Sequence, residues 1–396
     1  MITLNYYDHR RCHSPTVFFP PRLLMTAIEH AMLREIHEQP EAIRRTIEQY
    51  VRGGHLDPQF LQELGKWANP YGEVLIAASG SSRHAGLAAE ILLEDLCGLA
   101  VDVEYASEYN CRGTAAARPG SILVLSQSGE TSDTLAALRI AKERGQRTLA
   151  ITNHEDSTMA REATLSMPLA AGPEKAIPAT KSFTCQLTAL FLLGLFEAAR
   201  LGKMTENEIG NRLAALEALP GLIAGQLPTW EQQLCQLATI YRPAATFLYL
   251  GRGIHYAIAR EGALKLKEAS YVHAEGYPAG ELKHGPNALV SERTPLVVIA
   301  TCDPSHEASA DHYEKTVQLL RDLQKQKANV LAIVNQGDRQ IPALVSHCVE
   351  VPAAWEYLLP ILEVVPLQLF SYFMALEHGV DVDRPRNLSK AVIETA

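Results

Sequence analysis

Three ionisable side chains share one face of a predicted helix in the second half of the chain. Glu261, Lys265 and Glu268 stand at positions i, i+4 and i+7 of the segment 257–269, so a helix brings two carboxylates and an amine within reach of one another. This stripe is typical of a solvated face with ion pairs between successive turns, and it is also what a site for proton transfer needs. The spacing alone leaves both interpretations open.

The loop after this helix favours a functional role. It reads GELKHGP at 280–286, so that Glu281, Lys283 and His284 lie among glycines and prolines. These glycines and prolines fix a backbone that neither a helix nor a strand requires. A rigid loop crowded with ionisable side chains is unusual in a purely structural role, and histidine is the side chain whose charge changes near neutral pH.

Hydroxyl side chains cluster at two junctions between a predicted strand and a predicted helix. The first junction reads SQSGET and carries Ser126, Gln127, Ser128 and Thr131. The second reads SGSS and carries Ser81 and Ser82. The first amides of a helix have no partner within the helix, so amides and hydroxyls at such a junction can bind one anion. Ordinary capping by Ser128 explains a single hydroxyl of the first junction, whereas a phosphate site explains the whole cluster.

Strand and helix patterns alternate along both halves of the chain. Strand candidates lie at 74–78, 101–105, 122–125 and 148–152 in the first half and at 247–250, 296–300 and 330–334 in the second. The second half repeats the first, because TLAITN at 148–153 is matched by VLAIVN at 330–335. We therefore predict an α/β fold with two parallel sheets, each flanked by helices in a three-layer, flavodoxin-like arrangement. Two helices are expected between 205 and 241, and a short strand is expected at 271–274.

Composition and short motifs exclude several classes of protein. The net charge of −9 argues against nucleic acid as a partner. No apolar run approaches the roughly 20 residues of a membrane span and no secretory signal begins the chain, so we expect a cytoplasmic protein without a membrane partner. The seven cysteines form no C-x-x-C pair, and His9, His13 and His30 fit no common metal site. Since the sequence shows neither a P-loop nor a dinucleotide fingerprint, we expect no metal and no cofactor.

The sequences EGALKLKE, HAE and GELKHGP, together with SQSGET and the tail RNLSK, resemble the isomerase half of glucosamine-6-phosphate synthase, which is built from two sugar isomerase (SIS) domains. The resemblance extends from about residue 31 to about residue 394. It implies an irregular extension at 1–30, a first SIS domain with its leading helices at 31–215, a second SIS domain with a bridging helix at 216–378, and a tail at 379–396 that closes over the active site. A polar tail of this kind is otherwise expected to fray.

The resemblance also implies roles for the candidate residues. The family's phosphate ligands correspond to Ser82, Ser126, Gln127, Ser128 and Thr131, to which Ser81 and Ser389 add neighbouring hydroxyls. Glu268 would move a proton between two sugar carbons, His284 of a neighbouring subunit would open the sugar ring, and Lys390 would form a Schiff base. Such a shared active site requires a homodimer. Lys265 would tune Glu268 or touch the substrate, or would only pair with Glu261.

Two positions depart from the family pattern. Ser79 stands where the family commonly has a cysteine, and Ala179 stands where it commonly has a serine near the sugar. The preferred amino sugar, or the placement of its amino group, is therefore expected to differ.

These expectations converge on an isomerase or deaminase that interconverts glucosamine 6-phosphate with fructose 6-phosphate and ammonia. Because water is far more concentrated than ammonia, mass action favours the deaminating direction. A full-length synthase also carries a glutaminase domain, and the roughly 30 residues before the first SIS domain leave no room for one. A synthase subunit supplied by a separate glutaminase is therefore one alternative. A sugar-phosphate sensor without catalytic activity is another, from a different class.

Overall fold

The computed structural model describes residues 30–68, 72–112 and 120–390. The predicted irregular extension, with His9 and His13, falls outside these residues except for His30, whose Nδ1 atom lies 3.0 Å from the hydroxyl of Tyr372. The leading elements are the helices α1 (Ala31–His37), α2 (Gln39–Tyr50) and α3 (Pro58–Leu64) and the paired strands β1 (Val51–Arg52) and β2 (His55–Leu56).

Continuous apolar runs form a parallel sheet in the first half of the chain. Its strands are β3 (Glu73–Ala78), β4 (Ala100–Tyr105), β5 (Ser121–Ser126), β6 (Arg147–Thr152) and β7 (Leu165–Pro168), in the order β4-β3-β5-β6-β7. Its helices are α4 (Gly80–Cys97), α5 (Ala106–Asn110), α6 (Ser132–Glu143), α7 (Thr158–Glu162) and α8 (Lys181–Arg200). Because helices pack on both faces, the central strands β3, β5 and β6 are almost entirely buried, whereas the edge strand β4 carries the polar residues Asp102 and Glu104.

The second half repeats this arrangement. Its strands are β8 (Thr246–Gly251), β9 (His273–Pro278), β10 (Leu296–Ile299), β11 (Val330–Asn335) and β12 (His347–Val351), all parallel and in the order β12-β11-β10-β8-β9. Its α-helices are α10 (His255–Ser270), α11 (Glu307–Lys325) and α12 (Leu359–Glu377), and α9 (Glu206–Tyr241) leads into it. Short 3-10 turns cover Ala279–His284, Pro286–Leu289, Ile341–Ala343 and Glu356–Leu358. The predicted α/β fold with two parallel sheets flanked by helices is confirmed.

The two halves meet in one shared hydrophobic core, to which both sheets contribute one face. Helix α8 and the segment 356–377 lie within it and are apolar on nearly every side. By length and composition both could cross a membrane, and 94% of each apolar stretch is buried inside the protein. The sequence-based statement that no run approaches a membrane span was therefore wrong. These runs are apolar all round because each helix packs against neighbours in every direction.

Two predicted elements differ from the structure. A single helix, α9, replaces the two helices expected between 205 and 241, although it contains Pro220 and Pro228. It begins at a capping box of Thr205 and Glu208 and packs along α2 and α12, and this packing sustains a helix that the prolines alone would interrupt. The strand expected at 271–274 begins two residues later, because α10 continues to Ser270 and needs the left-handed residue Tyr271, with φ 61°, to end it.

Candidate active site

The ionisable stripe of α10 is buried against the first turn of α4, where the two halves meet. The Nζ atom of Lys265 lies 2.5 Å from Oε2 of Glu268, 3.1 Å from Oγ of Ser81 and 3.4 Å from Oε1 of Glu261. The exposed fractions of the side chains are 1% for Lys265, 0% for Glu261 and 22% for Glu268. The solvated-face interpretation was therefore wrong. Lys265 pairs with both carboxylates, and only Glu268 reaches an accessible surface.

The charges of this cluster stabilise one another. Burial acts to lower the pKa of Lys265, but the carboxylates of Glu268 and Glu261 outweigh it and raise that pKa, so the amine stays protonated. Burial acts to raise the pKa of Glu261, and the charge of Lys265 together with the hydrogen bond from His84 lowers it instead. Lys265 and Glu261 therefore remain charged although both are buried.

A buried histidine from the first half completes the cluster, and the sequence reasoning missed it. The Nδ1 atom of His84, on α4, lies 2.8 Å from Oε2 of Glu261. The two residues are 177 positions apart, and no local pattern in the sequence links them. His84 follows Ser81 by three residues, so one helical turn supplies contacts to both Lys265 and Glu261.

The SQSGET junction folds so that its hydroxyls face one another. Oγ of Ser126 lies 2.9 Å from Oγ1 of Thr131 and 3.4 Å from Oγ of Ser128, and it accepts a hydrogen bond of 3.1 Å from the amide of Gly129. Thr131, and not Ser128, is the residue that precedes helix α6. The capping interpretation of Ser128 was therefore wrong, although its Oγ accepts a hydrogen bond from the amide of Glu130 at 3.2 Å.

Gly129 allows this junction to turn back on itself. Its φ is +66°, in the left-handed region that favours glycine, and a Cβ atom there would lie 2.2 Å from Oγ of Ser157. The backbone carbonyl of Gln127 accepts a hydrogen bond of 3.1 Å from the amide of Asn153, so the turn is also held from the β6 side. The result is a rigid hydroxyl cluster at the carboxyl end of β5, where parallel sheets bind ligands.

The second junction is already helical. Residues 80–82 form the first turn of α4, which Gly80 enters with φ +54°. Oγ of Ser82 accepts a hydrogen bond of 2.9 Å from Nε2 of Gln186, and Oγ of Ser81 accepts the one from Lys265. This helical turn thus adjoins both the carboxyl edge of the first sheet and the ionisable stripe.

The tail returns to the same region, and the structure describes it as far as Lys390. Nζ of Lys390 donates to Oε2 of Glu174 at 2.5 Å and to the carbonyl oxygen of Ala176 at 2.6 Å. Upstream, Oδ2 of Asp383 accepts a hydrogen bond of 2.8 Å from the first amide of α1, and the amide of Arg386 donates to the hydroxyl of Tyr271 at 2.6 Å. The frayed-tail alternative was wrong for 380–390. Ser389 is exposed beside Lys390.

Glu174, which the sequence reasoning also missed, receives the tail lysine. Its side chain is 0% exposed and accepts hydrogen bonds from the amides of Thr180 and Ser182, each at 3.0 Å. Burial acts to raise the pKa of Glu174, but Lys390 and these donors outweigh it and lower the pKa. Glu174 is also among the charges that raise the pKa of Lys265, so the tail lysine and the ionisable stripe are electrostatic neighbours. The segment GPEKAIPATK offered no recognisable signal for this role.

His284 lies apart from these groups within the single chain. It ends the turn Ala279–His284 and is exposed. Leu282 of that turn packs with α11 on one face of the second sheet, whereas α10 packs on the other face in the shared core. His284 and Glu268 therefore belong to elements on opposite faces of this sheet. Among the residues that the structure describes, no group of three or more His, Cys, Asp or Glu side chains is arranged to hold a metal ion.

The fold and site define a protein with two SIS domains. The family model described as "SIS domain" matches residues 71–195 and 240–378, and the chain belongs to this family.

Its relatives identify the branch of that family. The chain is 42% identical over 373 residues to the isomerizing glutamine–fructose-6-phosphate aminotransferase of Chlorobaculum tepidum, covering 92% of this chain and 58% of that protein. It is 41% identical over 395 residues to the Aquifex aeolicus enzyme, covering 98% of this chain and 63% of that one. The chain thus spans about three fifths of the length of these curated relatives. These relatives are homologues through their isomerase half.

Solved structures agree with this assignment. The C-terminal domain of the glucosamine-fructose-6-phosphate aminotransferase of Francisella tularensis superposes with a TM-score of 0.82 at 33% identity, covering 90% of this chain and 98% of that domain. The glucosamine-6-phosphate deaminase of Thermotoga maritima superposes with a TM-score of 0.68 at 24% identity, covering 92% of this chain and 100% of that one. The second likeness shows a common fold.

Proposed function

We propose that this chain is an amino-sugar-phosphate isomerase that interconverts glucosamine 6-phosphate with fructose 6-phosphate and ammonia. The observation that carries the proposal is the arrival of Lys390, from the tail, at the buried carboxylate of Glu174, whose charge also helps to raise the pKa of Lys265, the partner of Glu268. An amine on a closing tail and a carboxylate with access to ligand are the two groups that this reaction requires. Both relatives and the matched solved domain carry names from amino-sugar phosphate metabolism.

The hydroxyl cluster of Ser126, Ser128 and Thr131 would bind the phosphate. The oxygens of Ser128 and Thr131 lie 3.4 and 2.9 Å from that of Ser126 at the start of α6, whose first amides add donors and a partial positive charge. Gln127 lies within the same junction, between Ser126 and Ser128, and Ser82 lies at the neighbouring junction. Ser81 would contact the sugar. Hydroxyls and amides can hold the dianion here without a lysine or arginine, so the protein's net negative charge is no obstacle.

Glu268 would transfer the proton between the two carbons next to the carbonyl group. It is the only member of the buried stripe with a substantial exposed fraction, 22%, so it can meet a ligand while Lys265 fixes its position. Lys265 would stabilise the enediol oxygen that becomes negative as the proton leaves carbon. This assigns Lys265 both to the tuning of Glu268 and to the substrate.

Lys390 would attack the ketose carbonyl. A lysine forms a Schiff base only as the neutral amine, so it must first leave the contacts with Glu174 and Ala176 or pass a proton to Glu174. Exchange of this imine with ammonia or water links the ketose to the amino sugar. Ser389 would contact the substrate when the tail is closed.

His284 would open the sugar ring in the active site of a second subunit. Its exposure, on the face of the second sheet remote from α10, supports this assignment to a homodimer. We further propose a cytoplasmic location without a membrane partner. The deaminating direction is favoured by mass action, and a separate glutaminase would supply ammonia for the reverse reaction.

The test is to incubate the purified protein with glucosamine 6-phosphate and to measure ammonia and fructose 6-phosphate together. Turnover should require Glu268 and Lys390, so Glu268→Gln and Lys390→Ala should each lower it at least 100-fold. Unchanged turnover in both variants would refute the assignment of roles. If the phosphosugar raises the melting temperature but no product forms, the sensor alternative replaces the enzyme.

A further inference from the structure

We infer that Glu261 and His84 form a positioning pair that directs the transferred proton to Glu268 and keeps Lys265 as an ammonium throughout the reaction. This inference rests on the proposed function, because it explains how the Lys265–Glu268 pair would work. Neither residue is expected to touch the substrate, since both are buried.

Two carboxylates share one ammonium in this cluster. Lys265 lies 2.5 Å from Glu268 and 3.4 Å from Glu261, so three charges sum to −1 before any proton is taken up. When two carboxylates share one ammonium, a proton on one of them strengthens the pairing of the ammonium with the other, so the pair accepts one transferred proton far more readily than two. The surroundings of the two carboxylates decide which one takes it.

Those surroundings differ strongly. Glu261 is 0% exposed, and its Oε2 accepts the 2.8 Å hydrogen bond from His84, which stabilises its charged form. Glu268 projects toward the accessible surface and receives its ammonium donor from Lys265. The proton therefore goes to Glu268, the one carboxylate that can reach a substrate carbon. A pair of carboxylates with unequal environments is how acid and base roles are divided in other active sites.

This division keeps the charges balanced during catalysis. When Glu268 takes the proton from carbon, the C–H bond breaks, its electron pair forms the C=C bond of the enediolate and the former carbonyl oxygen becomes negative. Lys265 then loses Glu268 as a counterion but retains Glu261, so it stays protonated and can stabilise that oxygen. Glu268 then returns the proton to the adjacent carbon, and a proton moves from the hydroxyl or amino group on the neighbouring carbon to the negative oxygen. These two transfers restore the starting charges.

The other charged groups near the cluster do not replace this pair. Helix α4 contacts the cluster through the neutral hydroxyl of Ser81, at Lys265, and through His84, at Glu261. Glu174, on the segment before α8, is already paired with Lys390 from the tail. On α12, which packs along α10, Glu363 pairs instead with Nδ1 of His255 at 2.8 Å. His84 is thus the group placed to hold Glu261 as an anion.

The test compares the pH dependence of kcat for glucosamine 6-phosphate deamination in four variants. Glu261→Gln removes the second carboxylate, so Glu268 becomes a weaker base. The acidic limb of the profile should therefore move at least one pH unit lower. We expect kcat to fall about tenfold and KM to change less than threefold. His84→Leu should shift the limb in the same direction, because Glu261 then takes the proton first. His84→Gln, which retains a donor, should restore most of the wild-type profile.

The control is His255→Gln, which alters a buried histidine–glutamate pair away from the stripe. It should lower the melting temperature and leave the acidic limb unchanged. Should His84→Leu fail to fold, Glu261→Gln decides the matter, because glutamine has the same shape and still accepts the hydrogen bond from His84. If kcat of the Glu261 and His84 variants falls at every pH while the acidic limb stays in place, the inference is overturned and the proposed function stays intact. Absence of turnover in the wild-type protein would overturn the proposed function itself.

Discussion

Replacing Lys265 by methionine should leave two carboxylates without the cation they share. Methionine fills a similar volume and retains an apolar stem, so the change removes chiefly the charge. The side chains of Lys265 and Glu261 are 1% and 0% exposed, so water cannot take the place of the ammonium. Removing one partner of a buried ion pair costs about 3–5 kcal/mol, and we expect the free energy of unfolding to fall by about that amount at pH 8.

The loss should depend on pH in a direction that the structure fixes. In the wild-type protein burial acts to raise the pKa of Glu261, but Lys265 and His84 outweigh burial and lower it. That stabilisation is present above the unfolded-state pKa of about 4.3 and is lost as the pH falls through the lower folded-state value. In the variant the folded-state pKa of Glu261 is raised instead, so stability is lost as the pH rises through it. The deficit of the variant should be largest near pH 8 and should shrink toward pH 5.

Urea denaturation of both proteins at pH 8 and pH 5, followed by circular dichroism, measures this difference. Lys283→Met is the matched control, since it removes a lysine that is 62% exposed and pairs with Asp322 at 3.0 Å. An exposed pair of this kind contributes about 0–1 kcal/mol. A deficit for Lys265→Met no larger than that of the control at pH 8 would refute the reasoning about the buried stripe.

Three further changes test other parts of the site. Gly129→Ala should lower the free energy of unfolding by about 2 kcal/mol or more, because it combines left-handed backbone strain with a Cβ atom 2.2 Å from Oγ of Ser157. Gly145→Ala is the control for thermal unfolding: its φ is +73° but open space surrounds it, so the loss should be only about 1 kcal/mol. Ser126→Ala should weaken phosphosugar binding about tenfold in calorimetry, because a hydrogen bond to an anion contributes about 1.5–3 kcal/mol, and Ser166→Ala on β7 should leave binding unchanged. Asp383→Asn removes the carboxylate at the start of α1 and should speed hydrogen exchange in 380–390, and unchanged exchange there would show that the tail is held by its other contacts alone.

The sequence predicts the elements of this fold well where its signals are local. The buried runs at 74–78 and 330–334 are the centres of β3 and β11, because strands covered on both faces have few polar residues. The signal fails where tertiary packing decides the outcome. Pro220 and Pro228 indicate a break in the helix, yet α9 continues because α2 and α12 pack against it. The sequence gives no strand signal for the edge strands β7 and β12, because they are short and only partly buried.

The candidate site divides in the same way. The hydroxyls of 126–131 and the stripe of α10 were predictable, because one junction and one helical period place them together. The contacts of His84 with Glu261 and of Lys390 with Glu174 join residues 177 and 216 positions apart, so only the folded chain shows them. Resemblance to the synthase family pointed to Lys390, whereas its partner Glu174 lies in a segment without a recognisable motif. The position of His284 depends on a second subunit and stays a prediction.

The most direct measurement is to reduce the mixture of protein and fructose 6-phosphate with borohydride and to locate the modified lysine by peptide mass spectrometry. A Schiff base between the ketose and the tail should be trapped as a phosphohexityl adduct on Lys390, and Glu268→Gln should still form it. The buried Lys265 and Lys181 should remain unmodified. The claim that the tail amine and the α10 carboxylate serve one phosphosugar pocket would be contradicted by an adduct on another lysine. It would also be contradicted if a protein sample that releases ammonia from glucosamine 6-phosphate formed no adduct with fructose 6-phosphate.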